Sequence, residues 1–335
     1  MPTPNAAAEL PPHTVAALHP DGRGSSLSSL SRELYRRQCL DWPMMAAGAE
    51  ALNAVQVRSV AVGPYDVRLQ FNPKRIVSTG AKVDAASIRE RRCFLCAAHL
   101  PAEQRGVLAY GSFLVLCNPM PIFREHFTIA HVRHIPQSIE ENILPFLDLA
   151  KDLAGSHAVF YNGPKCGASA PDHMHFQASP AGSIPAERDA ADPARRVQRA
   201  IRGGLTVSTL KEYGRGVIVL ESASRQETEL GFLRLCAAMR RAFGTEDEPM
   251  LNAIAVWDGG RWRVIVIPRT KHRPAAYFRE GEDQVLISPA AVDIGGLIVT
   301  PAERDFRRTD AALVEEIFRE VSVSDDILND IIGRL

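Results

Sequence analysis

Two histidines and a glutamine in the run Asp172-His173-Met174-His175-Phe176-Gln177 are the residues of this chain best suited to chemistry. Residues two apart share a face of a β-strand, so the spacing predicts that the three polar side chains point the same way. In front of them lies a run of small residues, Asn162-Gly163-Pro164-Lys165-Cys166-Gly167-Ala168-Ser169, able to offer backbone N–H groups to a phosphate. A histidine aimed at a phosphate is a nucleophile or a proton donor. As a nucleophile, neutral imidazole attacks an α-phosphate in line and forms a phosphoramidate, dividing one hard transfer into two easier ones. The attacking ring needs its other nitrogen held by a hydrogen-bond acceptor, so that the lone pair faces the substrate. For His-x-His alone the plainer reading is the exposed polar face of a strand; the small-residue loop tips the balance towards phosphate.

Other residues add chemistry of less specific kinds. Cys93-Phe94-Leu95-Cys96 is a C-x-x-C, which serves as half of a zinc site, as a redox pair, or as two buried free thiols. A redox pair prefers the start of a helix after a strand, a setting that Arg91-Arg92 does not suggest. Lys165 sits inside the small-residue loop and is a phosphate candidate. Arg269, Lys271, His272 and Arg273 lie between two prolines, where they either clamp a distal phosphate or stand solvated.

These residues need a scaffold, and 335 residues suffice for two domains or one large one with a buried core. Lys+Arg and Asp+Glu both total 39, so no basic field points to nucleic acid. No apolar run of about 18 residues suggests a membrane span, and Glu9 with the Pro-rich start argues against a secretory signal. Six scattered cysteines do not form a disulfide framework and fit a reducing cytoplasm. Residues 1–26, rich in Ala, Pro, Gly and Ser, read as a disordered tail. Helical spacing covers 28–40, 143–154, 227–242 and 310–321; strands are expected at 65–71, 113–116, 127–130, 158–161 and 217–220. Residues 251–257 and 262–267 flank Asp258-Gly259-Gly260, a hairpin signal. Residues 181–203 read as surface connection between two halves. No sequence repeat is evident, and the mixture of antiparallel strands and helices is α+β.

The Gly/Ser loop followed by His-x-His-x-Gln resembles the active-site signature of the histidine-triad (HIT-like) superfamily, in its nucleotidyltransferase branch. That branch includes diadenosine tetraphosphate phosphorylase, GDP-galactose phosphorylase and galactose-1-phosphate uridylyltransferase. A second segment, His126-Phe-Thr-Ile-Ala-His131-Val-Arg-His134, resembles the upstream strand and turn of the same superfamily; His131 by itself reads as a surface or packing histidine. His173 falls four positions after Ser169, where three are usual, which touches the assignment of Ser169.

The resemblance implies an antiparallel HIT-like sheet flanked by helices, with a catalytic domain over 27–190 and a second, degenerate HIT-like half over 200–335. It implies that His175 is the nucleophile, with His173 beside it, and that Gln177 holds the phosphoryl oxygens, where hydrolases carry His. Asn162, Gly167 and Ser169 would line the phosphate path, and Asn72, Lys74 and Arg75 would meet the substrate. In bacterial uridylyltransferases a Cys-x-x-Cys joins a turn histidine and the first His of His-x-His around a structural zinc; carried over, the ligands are Cys93, Cys96, His134 and His173. The expected substrates are a dinucleotide polyphosphate or a nucleotide sugar with phosphate or a sugar phosphate as acceptor, by ping-pong transfer; a homodimer is compatible with this. The aromatic His-Phe-Gln favours the phosphorylases and the Cys pair the uridylyltransferases; the base stays open. Non-catalytic nucleotide binding on the same scaffold is the alternative of another class.

Overall fold

Apolar residues run almost unbroken along the central strands of this chain, and the fold buries both faces of one long sheet. The structure, a computed structural model, describes residues 13–18, 24–76, 80 and 84–335. In chain order the strands are β1 (Thr14–Ala17), β2 (Gln56–Val62), β3 (Tyr65–Phe71), β4 (Gly106–Ala109), β5 (Phe113–Cys117), β6 (Phe127–His131) and β7 (His157–Asn162). They continue with β8 (His175–Pro180), β9 (Arg196–Arg202), β10 (Leu205–Leu210), β11 (Ile218–Ser222), β12 (Leu251–Asp258), β13 (Arg261–Pro268) and β14 (Leu297–Thr300). Eleven form one sheet in the order β1-β4-β5-β6-β8-β7-β12-β13-β11-β10-β9, antiparallel except for β1 on β4. A small sheet, β14-β3-β2, covers part of one face.

The large sheet repeats one plan. Strands β4 to β8 take the order 4-5-6-8-7, and β9 to β13 the order 9-10-11-13-12. A helix links the third strand to the fourth in each set: Ile143–Asp152 in the first and Arg225–Phe243 in the second. The sets join where β7 and β12 pair antiparallel, with Asn162 opposite Asn252. The stretches 27–190 and 200–335 therefore share a single sheet.

Local chemistry fixes the ends of these elements. The 225–243 helix starts at Ser224, whose hydroxyl accepts from Glu227 N, and stops at Gly244 at φ 64°. The β12–β13 hairpin turns through Gly259 and Gly260 at φ 56° and 78°, the two positive angles that a two-residue hairpin of the I′ type requires. On the helix-covered face, Phe113, Phe127, Phe146, Phe176 and Trp262 pack together; on the other, Phe160, Ile254, Ile265, Ile298 and Phe318 do so.

Two expectations change. Of the expected tail, residues 1–12 and 19–23 lie outside those described, but Thr14–Ala17 forms a strand, because the exposed edge of β4 accepts its backbone. The 181–203 connection contains a helix, Pro185–Ala191, that is buried along most of its length, with Glu187 accepting from the N–H groups of Gly182 and Ile184. Among the described residues no helix is long and apolar enough to cross a membrane.

Candidate active site

The pleat of β8 decides which groups meet the substrate side. Phe176 and Ala178 enter the helix-side core, so His175 and Gln177 face the opposite way, into a cavity of about 690 Å³. His175 is 3% exposed, and its Nδ1 lies 2.8 Å from the carbonyl oxygen of His173. A carbonyl only accepts, so Nδ1 carries the proton and Nε2 keeps its lone pair. Burial pushes the His175 pKa down to about 4, leaving a neutral ring at ordinary pH.

Gln177 is oriented in the same manner. The backbone N–H of Ile122 donates to His126 Nδ1 at 3.2 Å, so the other ring nitrogen of His126 bears the proton. That Nε2–H donates to Gln177 Oε1 at 2.8 Å. The carboxamide is thereby fixed with its NH₂ as the end left to donate, the polarity a phosphoryl oxygen needs. Burial holds His126 at about 3, so it is neutral and cannot compete for the anion as a charge.

Around these two residues the cavity is mixed in chemistry. Its lining combines small and cationic or titratable residues, Gly167, Ser169, Arg75, His272 and Arg273, with apolar ones, Trp42, Phe94, Leu95, Leu100 and Pro101. Gly167 sits at φ 108°, and a Cβ there would lie 2.6 Å from that of Ala290, so only glycine lets the loop lie this close. Arg75 is held by the carbonyl of Met120 at 2.8 Å, and Arg273 by Ser288 Oγ at 2.9 Å with its guanidinium over the Tyr277 ring. Burial lowers Arg75 only to about 10, so it stays charged.

The expected site residues separate accordingly. His175, Gln177, Asn162, Gly167, Ser169 and Arg75 line the cavity. His173 does not: β8 begins only at His175, so the two-residue alternation fails there, and the His173 ring turns towards the cysteines. Its carbonyl still serves His175. Lys165 is exposed and paired with Asp247 at 2.7 Å, away from the cavity. Asn72 is buried, donating to the carbonyl of Pro121, while Lys74 is exposed. Lys271 is exposed near Glu320, at 3.9 Å.

Arg269 is the sharpest correction. It is 1% exposed and donates to the carbonyls of Val321, Pro289, Lys271 and His272 and to Asn252 Oδ1. Asn252 in turn donates to Asn162 Oδ1 and to the carbonyl of Cys166. A guanidinium has five donors in a rigid fork, and here all serve the backbone and one amide; Arg269 shapes the loop that carries His272 and Arg273. His131 is a packing histidine, edge-on to Phe113.

Cys93, Cys96, His134 and His173 converge, their donor atoms all within 4.8 Å of one another. His173 Nδ1 lies 3.2 Å from Cys93 Sγ and 3.6 Å from Cys96 Sγ; His134 Nδ1 lies 3.2 Å from Cys96 Sγ. Ligands of a tetrahedral zinc stand about 3.3–3.8 Å apart, so the set fits a metal ion. The tautomer fits too: His173 Nε2–H donates to the carbonyl of His131 at 2.7 Å, leaving Nδ1 free to ligate. His134 Nε2 stands 3.7 Å from Asp172, the supporting carboxylate common behind ligating histidines, and Arg91 pairs with the same carboxylate. Burial is the largest influence on Cys93 and opposes its ionisation, but the contact with His173 and the backbone N–H groups of Leu95 and Cys96 together outweigh it and lower the thiol to about 6.

Sequence reasoning missed Gln137 and Asn252, which join distant segments and carry no local signal. Phe94 was legible only as filler between two cysteines, yet with Leu95 it forms cavity wall, under the guanidinium of Arg91 at 5.2 Å.

Buried titratable groups give a pH prediction. Burial holds His126 near 3 and His157, His175 and His272 near 4, while it raises Asp293 to about 6 and Glu248 to about 7. Unfolding near pH 5 takes up four protons on imidazoles, normally near 6.5, and releases two from carboxyls, normally near 4. The unfolded chain then binds about two more protons, so stability rises with pH by roughly 2.7 kcal/mol per unit between about pH 4.5 and 6. Urea melts across that range check it; a flat profile contradicts these burial effects.

The family model described as "Domain of unknown function (DUF4922)" matches residues 34–180. Among curated proteins none matches the chain. Solved structures do. Yeast Ap4A phosphorylase Apa2 in complex with AMP is similar at TM-score 0.56 and 16% identity, over 87% of this chain and 96% of that one. The structure of Apa2 without that ligand gives TM-score 0.58 at 13% identity over 90% and 97%, and its complex with Ap4A gives 0.55 at 15% over 88% and 97%. At such identities the likeness establishes the fold, and the α+β architecture expected from the sequence, a large antiparallel sheet flanked by helices, is the one found.

Proposed function

We propose, from the fold shared with yeast Ap4A phosphorylase and the setting of His175, that this chain is a nucleotidyltransferase of phosphorylase type. Its donor is a dinucleotide polyphosphate or a nucleoside diphosphate sugar, and its acceptor is phosphate or a sugar phosphate. One observation carries the reading: a neutral histidine with Nδ1–H tied to a carbonyl lines the cavity beside an amide locked as a donor.

In the first step His175 Nε2 attacks the α-phosphorus. The N–P bond forms, the bridging P–O bond breaks, and the leaving phosphate carries away the bond's electrons. The positive charge on the substituted imidazole is eased by Nδ1–H against the His173 carbonyl. In the second step an acceptor oxygen attacks phosphorus, the N–P bond breaks and neutral imidazole returns. The Gln177 NH₂ and loop N–H groups serve the non-bridging oxygens, with Arg75, Arg273 and His272 nearby for the flanking phosphates. The apolar lining at Phe94 and Leu95 suits a base, and two half-reactions predict ping-pong kinetics. Zinc fits the Cys93, Cys96, His134 and His173 set as a closed structural ion.

A second reading, hexose-phosphate uridylyl transfer, is favoured by that same Cys/His set, the feature shared with uridylyltransferases. Incubation with labelled ATP, GTP, UDP-glucose, GDP-hexoses and diadenosine tetraphosphate, followed by mass spectrometry of the His175 peptide, decides between them by the nucleotide attached. No acid-labile adduct with any donor sinks both. Gln177→Glu replaces the donor amide by a repelling carboxylate, and adduct formation is expected to slow about 10²–10³-fold in rapid-quench assays.

A further inference from the structure

We infer that Gln137 is a positioning residue whose side-chain amide replaces one rung of the central sheet and so sets the nucleophile apart from the phosphate loop. The β7–β8 ladder runs from His157 opposite Pro180 to Phe160 opposite Gln177. Carried on in that register, Asn162 would pair with His175. Instead the carboxamide of Gln137 stands between them. Its Nε2 donates to the carbonyls of Asn162 and His175, both at 3.0 Å, and its Oε1 accepts the His175 N–H at 2.8 Å.

A primary amide reproduces the donor and acceptor pattern of a peptide group, so it completes the ladder while keeping the two strands from closing to the usual ~4.8 Å. Gln137 is 4% exposed and is itself tied down by its N–H to the carbonyl of Pro171. On its other edge His175 stays in register with Ala130 of β6. The nucleophile is therefore gripped from both sides, by a strand and by an inserted amide. Asn162, where the loop departs, and His175 both reach the cavity wall as a result, whereas Gln137 does not line the cavity. It acts on the alignment of Nε2 with the phosphorus and leaves donor binding to other groups.

The kinetic part rests on the proposed function, so two variants and two kinds of readout are needed. Q137L keeps the side-chain volume and removes all three hydrogen bonds; Q137E keeps the acceptor for His175 N–H and removes the donors. With the donor that labels the wild-type protein, single-turnover labelling of His175 in Q137L is expected to fall about 10²-fold, the scale of a misplacement near 1 Å. The donor Kd should stay within about threefold, and Q137E should fall between Q137L and wild type. Independently of any activity, backbone amide exchange at His175 should speed up in Q137L and remain slow in Q137E. If Q137L does not fold, the labelling rate of Q137E is compared with that of wild type, and an unchanged rate or a loss that resides in Kd overturns the inference. In folded Q137L, unchanged labelling, a loss that resides in Kd, or unchanged exchange at His175 overturns it. Absence of label in wild type instead defeats the proposed function, and amide exchange with diethyl pyrocarbonate modification of His175 then decides on Gln137: unchanged rates in both variants overturn it.

Discussion

His175→Ala is expected to abolish covalent nucleotidyl transfer, with a loss on the order of 10⁶-fold, while the protein stays folded. The size follows from the role: alanine has no lone pair to form the N–P bond, and no other nucleophile in the cavity stands in the same place. The structural effect is smaller. The carbonyl of His173 loses its donor, a deficit of about 1–3 kcal/mol for a buried acceptor, and a few degrees of melting temperature follow. His126→Ala makes the informative contrast, since it removes no reacting atom but frees the Gln177 amide to turn, so a slower enzyme that still forms the adduct is expected. The measurement is mass spectrometry of the His175 peptide beside a thermal melt. A His175→Ala protein that keeps normal turnover removes the mechanism.

What the sequence reveals of this site follows from how local each cause is. His175 and Gln177 were legible because two-residue alternation is a property of four or five consecutive residues. His173 escaped it because β8 begins two residues later, a boundary that no local pattern marks. The hairpin at Gly259-Gly260 was legible because positive φ angles demand glycine; the repeated strand order was not, because alternation says that a strand exists and nothing about its neighbours. Arg269 and Lys165 show the same limit for charge. Both read as phosphate candidates, yet one meets two carbonyls of its own loop together with two carbonyls and an amide brought from Pro289, Val321 and Asn252, and the other meets Asp247. Gln137 and Asn252 had no signal at all, since each is a single amide whose side-chain partners lie 17 or more residues away.

Removing a metal from the cysteine–histidine set is expected to cost the fold far more than losing either catalytic side chain. Cys93 and His173 are buried, so two of four ligands would be left as enclosed polar groups, while His134, 46% exposed at its side chain, gives a chelator its way in. An ion present at about 1,000 times its Kd contributes about 4 kcal/mol, and at 2–4 °C per kcal/mol its removal lowers the melting temperature by about 8–16 °C. Cys93→Ser should reproduce that fall and make the protein indifferent to chelator, whereas Cys39→Ser, outside the set, should leave the shift intact. The knuckle also reaches the substrate side, because Phe94 and Leu95 between the two thiols form cavity wall. Metal loss should therefore weaken donor binding even at temperatures where the protein is folded, while His175 keeps its hydrogen bond from Nδ1 to the chain. Elemental analysis finding one zinc per chain, lost in Cys93→Ser, is the expected result; a purified protein without metal, whose melt is unmoved by chelator or added zinc, excludes a structural ion here.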